Sequence, residues 1–210
     1  MARRHYEAEA LRGGWSVRQL DRQISTLSYQ RLPTSSLRHN SSEKIPEFEI
    51  KDPFVLEFLG LKDEYSEAEL EEALIRELEQ FLLELGNDFA FVARQKRLRV
   101  GTEWYRVDLL FFHRRLRSLI IVELKLGKFT HADKGKLSFY LEALDRDVRK
   151  SHEQPAIGVL LCASKDDEIV EYALNRTLSP ALIAEYQTQL PDKKLLQAKL
   201  HEFYLQNAEE

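Results

Sequence analysis

Three strand-forming runs follow one another between residues 89 and 125 with only short turns between them, so any fold of this chain must be built round a sheet. Phe89 to Val100 (FAFVARQKRLRV) begins apolar and turns basic. Gly101-Thr102 marks a turn, and Trp104 to His113 (WYRVDLLFFH) is rich in aromatic and aliphatic residues. A polar turn, RRLRS, leads to Leu119 to Lys125 (LIIVELK). Ahead of these runs Ser66 and Glu69 form a capping box, and Leu70, Leu74, Leu78, Phe81, Leu82 and Leu85 recur at helical spacing until Gly86, which predicts one helix. Behind them, Thr130 to Asp133 caps a helix through KGKLSFYLEALD. Ala156 to Cys162 (AIGVLLC) has the uncharged character of a strand buried on both faces, and Ser164 to Asp167 starts a helix to about Asn175. The order helix, three strands, helix, strand, helix predicts an α/β fold with a central mixed sheet flanked by helices.

The flanks differ in kind. Residues 3–31 read as helix, broken near Gly13-Gly14, with Ser16 capping the second part. Residues 33–46 are rich in Ser, Asn and Pro and read as a linker, and 193–205 as a terminal helix. This predicts a short helical extension at 1–32, the linker, and one domain over 47–210. No apolar run reaches bilayer length, no secretory h-region opens the chain, and the single Cys162 permits no disulfide within it, so a reducing cytoplasm is expected.

The net charge of -4 says little, but its distribution says more. Residues 92–117 hold eight Lys or Arg and two acids, a basic island in an otherwise acidic domain. It is either a phosphate-contacting surface or a pair of solvated strands.

Asp108 stands inside an apolar strand, where an unpaired carboxylate is costly. Glu123 and Lys125 are two residues apart, so they share one face of the third strand, while Ile120, Val122 and Leu124 share the other. Two carboxylates on neighbouring strands with a lysine beside them suit Mg²⁺ or Mn²⁺, which prefers oxygen ligands, activates water and stabilises a phosphoryl transition state. The lysine can orient the nucleophile or offset developing charge. A cross-strand salt bridge at a sheet edge is the structural alternative.

With these residues goes a resemblance. The stretches KDPFVLEFLGL, LEEALIRELEQFLLELG, FVARQKRLRVGTEWYRVDLLFFHRRLRSLIIVELKLGKF, GKLSFYLEALD, PAIGVLLCASKDDEIVEYAL and YQTQLPD resemble the bacterial YhcG-like nucleases of the PD-(D/E)xK superfamily. The resemblance implies a restriction-endonuclease-like core, with Asp108 and Glu123 holding the metal and Lys125 as the catalytic lysine. It further implies that the Leu124 carbonyl assists, and makes Glu71 the candidate for an extra acid on the first core helix, although that helix carries other, exposed acids. Relatives carry Gln in a Gly-Gln-Leu pattern where this chain has Gly135-Lys136-Leu137, followed by Tyr140-Leu141. Lys136 and Tyr140, one helical turn apart, then become phosphate contacts, with Arg97, Arg99 and Arg115 from the basic island. Family members have a longer helical N-terminal region, of which RHYEAEALRGGWSVRQLDRQI looks like the last part. That segment is expected to contact DNA, to form a homodimer, or to dock through Trp15 and Leu20.

Three functions are thus open: a metal-dependent endonuclease on DNA, branched or structured forms included; a non-catalytic DNA-binding or assembly module that keeps the fold; and an interaction domain. Among the remaining candidates, Phe111, Phe112, Phe139 and Tyr140 read mainly as core, Cys162 as core, and His113, His131 and His152 as surface or strand-end residues.

Overall fold

A six-stranded sheet organises the chain in a computed structural model that describes residues 2–31, 53–62, 64–86, 88–174 and 181–189. The N-terminal segment forms helices α1 (Ala2–Gly13) and α2 (Val17–Ser25) and a 3-10 turn at Ser28–Arg31. Then come β1 (Phe54–Val55), α3 (Glu67–Arg76), α4 (Leu78–Leu85), β2 (Phe89–Val100), β3 (Glu103–His113) and β4 (Ser118–Lys128). Helix α5 (His131–Asp147), β5 (Gln154–Ser164), α6 (Asp167–Leu174) and β6 (Ala181–Gln187) complete the described part. The proposed linker at 33–46 and the helix at 193–205 lie outside it.

The strand order is β1-β6-β5-β4-β3-β2. Strands β2, β3 and β4 form an antiparallel meander, as the short turns require, and β4, β5, β6 and β1 run parallel. Strand β4 shows how the sheet makes two cores. Ile120, Val122 and Leu124 pack with Leu70, Leu74 and Phe81 of α3 and α4, while Leu119 and Ile121 pack with Leu137, Leu141 and Leu144 of α5. Fully burying side chains of this size stabilises a fold by about 1.5–3 kcal/mol each. Helix α5 lies so close to the sheet that a Cβ on Gly158 would come within 2.8 Å of the Leu137 side chain.

The α/β class, the mixed sheet and the four long strands agree with the sequence reading. Three readings are corrected. The helix expected over 66–86 is two helices, because the chain bends at Glu77, which caps α3 with its N–H on the Ala73 carbonyl and starts α4. Strands β1 and β6 join the sheet without having been read as strands. His113 is buried, 3 % exposed, where Nδ1 accepts from the Leu116 N–H in the β3–β4 turn, and burial lowers its pKa.

The N-terminal helices dock on the domain through polar groups. Arg31 is buried and reaches Glu84, the Pro53 carbonyl (2.8 Å) and the Thr26 carbonyl (2.7 Å). Arg22 pairs with Glu57, and Gln23 donates to the Leu83 carbonyl (3.2 Å). Among the described residues no helix is long and apolar enough to cross a membrane.

Candidate active site

The site lies where β3 and β4 part. Their ladder runs from His113↔Ser118 to Leu109↔Val122 and stops there, while β4 stays paired with β5 as far as Lys128 and β2 stays paired with β3 out to Val100↔Glu103. Past the last rung each strand has an N–H without a backbone partner on the other. Two carboxylates take them. The Asp108 N–H donates to Glu123 Oε1 (3.1 Å), and the Leu124 N–H donates to Asp108 Oδ2 (3.0 Å). The acid that is out of place in an apolar strand therefore closes a hydrogen-bond deficit made by the divergence.

Closing it in this way confines two negative charges in a poorly solvated spot. Glu123 is 2 % exposed, and burial, followed by the nearby Asp108 charge, pushes its carboxyl up to about 7. Burial also raises Asp108, against the opposing pull of the Leu124 N–H and the Lys136 charge. The cation that meets this pair is Lys136 on α5, whose Nζ lies 2.7 Å from Glu123 Oε2 and 5.4 Å from the Tyr140 ring centre. Burial works to lower the Lys136 pKa, but the Glu123 contact outweighs it and the net shift is upward.

Around this centre the expected residues fall into place unevenly. Glu71 on α3 is buried, 6 % exposed, and its oxygens are held by Arg94 and Gln95. Gln95 also donates to Asp108 Oδ1 (3.3 Å), linking α3 to the β3 carboxylate. It does so from a left-handed backbone (φ 49) in mid-strand, an uncommon conformation for a side-chain-bearing residue. Lys125 makes its ion pair with Asp133 of the α5 capping box (3.3 Å) rather than with either site carboxylate. Tyr140 is buried beneath Lys136, Arg97 and Arg99 lie exposed on the β2–β3 hairpin, and Arg115 does not join them. It sits in the turn beyond His113, the end of β3, which is itself about 17 Å along the strand from Asp108 at ~3.3 Å per residue, and lies near Asp88 (3.9 Å). Residue types alone did not single out Arg94, Gln95 or Asp133 for this cluster. The capping box marked Asp133 for a different role, and a Gln within a basic run carries no signal.

A divalent cation fits this donor set. The donors are oxygen, the Asp108 charge raises the proton affinity of Glu123, burial and the Glu71 charge raise that of Asp108, and an ammonium already stands against Glu123. Among the described residues no three metal-ligating side chains are gathered together, and Glu71 is engaged elsewhere. Asp108 and Glu123 with non-side-chain oxygens is a set that Mg²⁺, which keeps several waters, commonly accepts.

Known proteins can be set beside this geometry. Residues 47–201 match the family described as YhcG PDDEXK nuclease domain. The chain is 51% identical over 210 residues to the Escherichia coli (strain K12) protein named "Putative nuclease YhcG", covering 95% of this chain and 55% of that one. It thus spans about half the length of that curated relative. Among solved structures it is similar to a repair endonuclease from Pyrococcus abyssi (17% identity, TM-score 0.39, 62% of this chain and 50% of that one). It is also similar to EndoMS in its apo form (18% identity, TM-score 0.39, 63% and 49%).

Proposed function

Because the chain belongs to the YhcG-like family of PD-(D/E)xK nucleases, we propose that it is a Mg²⁺- or Mn²⁺-dependent endonuclease that hydrolyses DNA phosphodiester bonds at the parting of β3 and β4. The observation that carries this reading is the pair of poorly compensated carboxylates, Asp108 and Glu123, that replace the ladder between two diverging strands. Asp108 and Glu123, with the Leu124 carbonyl, are the groups to hold the ion. When bound, such an ion supplies a nucleophilic water at neutral pH and charge stabilisation for the phosphoryl group.

The chain's own residues do the rest. The Leu124 and Asp108 N–H groups fix the carboxylates, so little reorganisation accompanies ion entry. Gln95 holds Asp108 and Glu71 together from the α3 side. Lys125, tethered to Asp133 and one-third exposed, has further N–H donors to orient the attacking oxygen. Lys136 is half-exposed and can trade Glu123 for a phosphate oxygen beside Tyr140. Water adds to phosphorus and gives up a proton, the P–O bond to the leaving sugar oxygen breaks, and that oxygen takes up a proton in return, so that one water is consumed for each bond cut. The setting is proposed to be cytoplasmic, with repair, recombination or defence as the roles in view. Exposed Leu11 (85%) and Val17 (84%) on the N-terminal helices offer a face for self-association, which sedimentation can test.

One observation favours the non-catalytic alternative: both lysines near the site are already paired with acids. The deciding experiment is cleavage of supercoiled and branched DNA with Mg²⁺ or Mn²⁺, comparing the chain with Asp108→Ala and Lys125→Ala. Metal-dependent cleavage that falls by at least about a hundredfold in both supports the endonuclease. DNA binding with no cleavage, unaffected by either substitution, supports a binding module.

A further inference from the structure

The β2–β3 hairpin outruns the sheet. From Val107 to Glu103, β3 is paired only with β2, and the two strands form an arm that leaves the sheet at Asp108. One face of the arm is committed to packing. Leu98 is 4 % exposed, Val107 is fully buried, and Tyr105 packs edge-on against Phe139 of α5 (4.7 Å between ring centres). The arm is therefore held in place by α5.

Its other face has an arrangement that folding alone disfavours. Arg97 and Arg106 stand directly opposite one another, and the next rung on that face, two residues on, sets Arg99 opposite Trp104. Like charges on facing positions destabilise a strand pair, and none of these three arginines forms an ion pair among the described residues. Trp104 is 62% exposed at the arm's tip, with the Arg99 guanidinium 6.0 Å from the centre of its ring. An anionic polymer with flat rings would relieve the charge and cover the indole together.

Position adds to this. Trp104, Arg106 and Asp108 occupy alternate positions and so project from one face, with Trp104 about 13 Å from Asp108 at ~3.3 Å per residue. That distance matches about four stacked nucleotide steps at ~3.4 Å each.

We propose that the arm face of Arg97, Arg99, Arg106 and Trp104 grips DNA at a boundary between duplex and single strand, the guanidinium groups on phosphates and Trp104 stacked on an unpaired base. This rests on the DNA-nuclease reading and adds a substrate class to it.

The test is intrinsic fluorescence without divalent metal, in a Trp15→Phe background where Trp104 is the remaining tryptophan. The probes are a blunt duplex, a flap of the same duplex length, and single-stranded DNA and RNA of one sequence. Quenching of Trp104 by flap and single-stranded DNA is expected, with affinity at least about tenfold above the blunt duplex. Read by the anisotropy of end-labelled DNA, since these variants hold no tryptophan in this background, Trp104→Ala should lose most of that preference and Trp104→Phe should keep it. Arg106→Ala should weaken all DNA binding and shallow its salt dependence by about one contact. A melting curve for each variant separates loss of the stack from loss of the fold. DNA binding with unchanged Trp104 emission and an intact flap preference in Trp104→Ala would overturn the proposal and leave the nuclease reading standing. Equal quenching by RNA would overturn the choice of DNA. No binding to any DNA would overturn both.

Discussion

Two glutamates are buried to nearly the same degree, Glu84 at 0 % and Glu123 at 2 % exposure, and their surroundings differ. Glu84 receives Arg31, the Val55 N–H (2.9 Å) and, more distantly, Arg22 (3.7 Å). Two guanidinium groups and a backbone donor converge on it, and with them the N-terminal helices are tied to α4 and β1. Glu123 has one half-exposed lysine, one backbone N–H, and a second carboxylate beside it. A buried charge that is over-compensated holds structure together. One left short of positive charge stores a demand that only an added cation meets.

The comparison predicts opposite signs for the same chemical change, and the larger effect belongs to the structural site. Glu84→Gln leaves Arg31 buried without its counter-charge and should cost about 3–5 kcal/mol in urea unfolding at neutral pH. An unchanged midpoint would mean that the Arg31–Glu84 contact does not tie the segments together.

Glu123→Gln should instead stabilise the metal-free protein. In the fold Glu123 keeps its proton up to about pH 7, whereas the unfolded chain releases it near pH 4.3. Between those values the folded state binds more protons, so wild-type stability falls as pH rises through this window. The variant has no such proton to lose. It should match the wild type at pH 4 and exceed it above pH 7 by up to about 3 kcal/mol, a rise of several degrees in Tm. A variant that melts lower than wild type at pH 8 would refute the idea of an under-compensated site. Adding Mg²⁺ should narrow the gap, since an ion that binds only the folded wild type stabilises it.

The same contrast explains what could be read from residues alone. Acids are conspicuous in apolar strands, so Asp108 and Glu123 stand out, and the period-2 spacing of Glu123 and Lys125 fixes a face that these two share. Strands β3, β4 and β5 were legible because each carries a continuous apolar run, and β2 because it begins in one. Strand β1 is two residues long and exists because β6 offers it a parallel edge, and Arg31 and Glu84 are joined only by the tertiary fold. The break at Glu77 carries no Gly or Pro signal. Gln95 owes its role to a left-handed turn of the backbone that brings an ordinary polar side chain between Glu71 and Asp108. The family resemblance, with the helical spacing to Tyr140, assigns Lys136 to phosphate, and the contact it makes in the fold, with a carboxylate, comes from the tertiary packing of α5.

That contact yields the smallest of the predicted effects and the one that links the two halves of the comparison. While Lys136 sits on Glu123, it is the site's own cation, and a divalent ion must displace it or bind beside it. Lys136→Gln should therefore bind Mn²⁺ more tightly in calorimetry, by about three- to tenfold, or ~1 kcal/mol once solvent screening of this half-exposed group is allowed for. The same substitution should weaken DNA binding, because it removes a charge that the proposed mechanism sends to phosphate. Tighter metal with weaker DNA is the signature of a lysine shared between carboxylate and substrate. Weaker metal binding would show that Lys136 builds the ion site instead of standing in for the ion, and would place Glu123 closer in kind to Glu84 than its surroundings suggest.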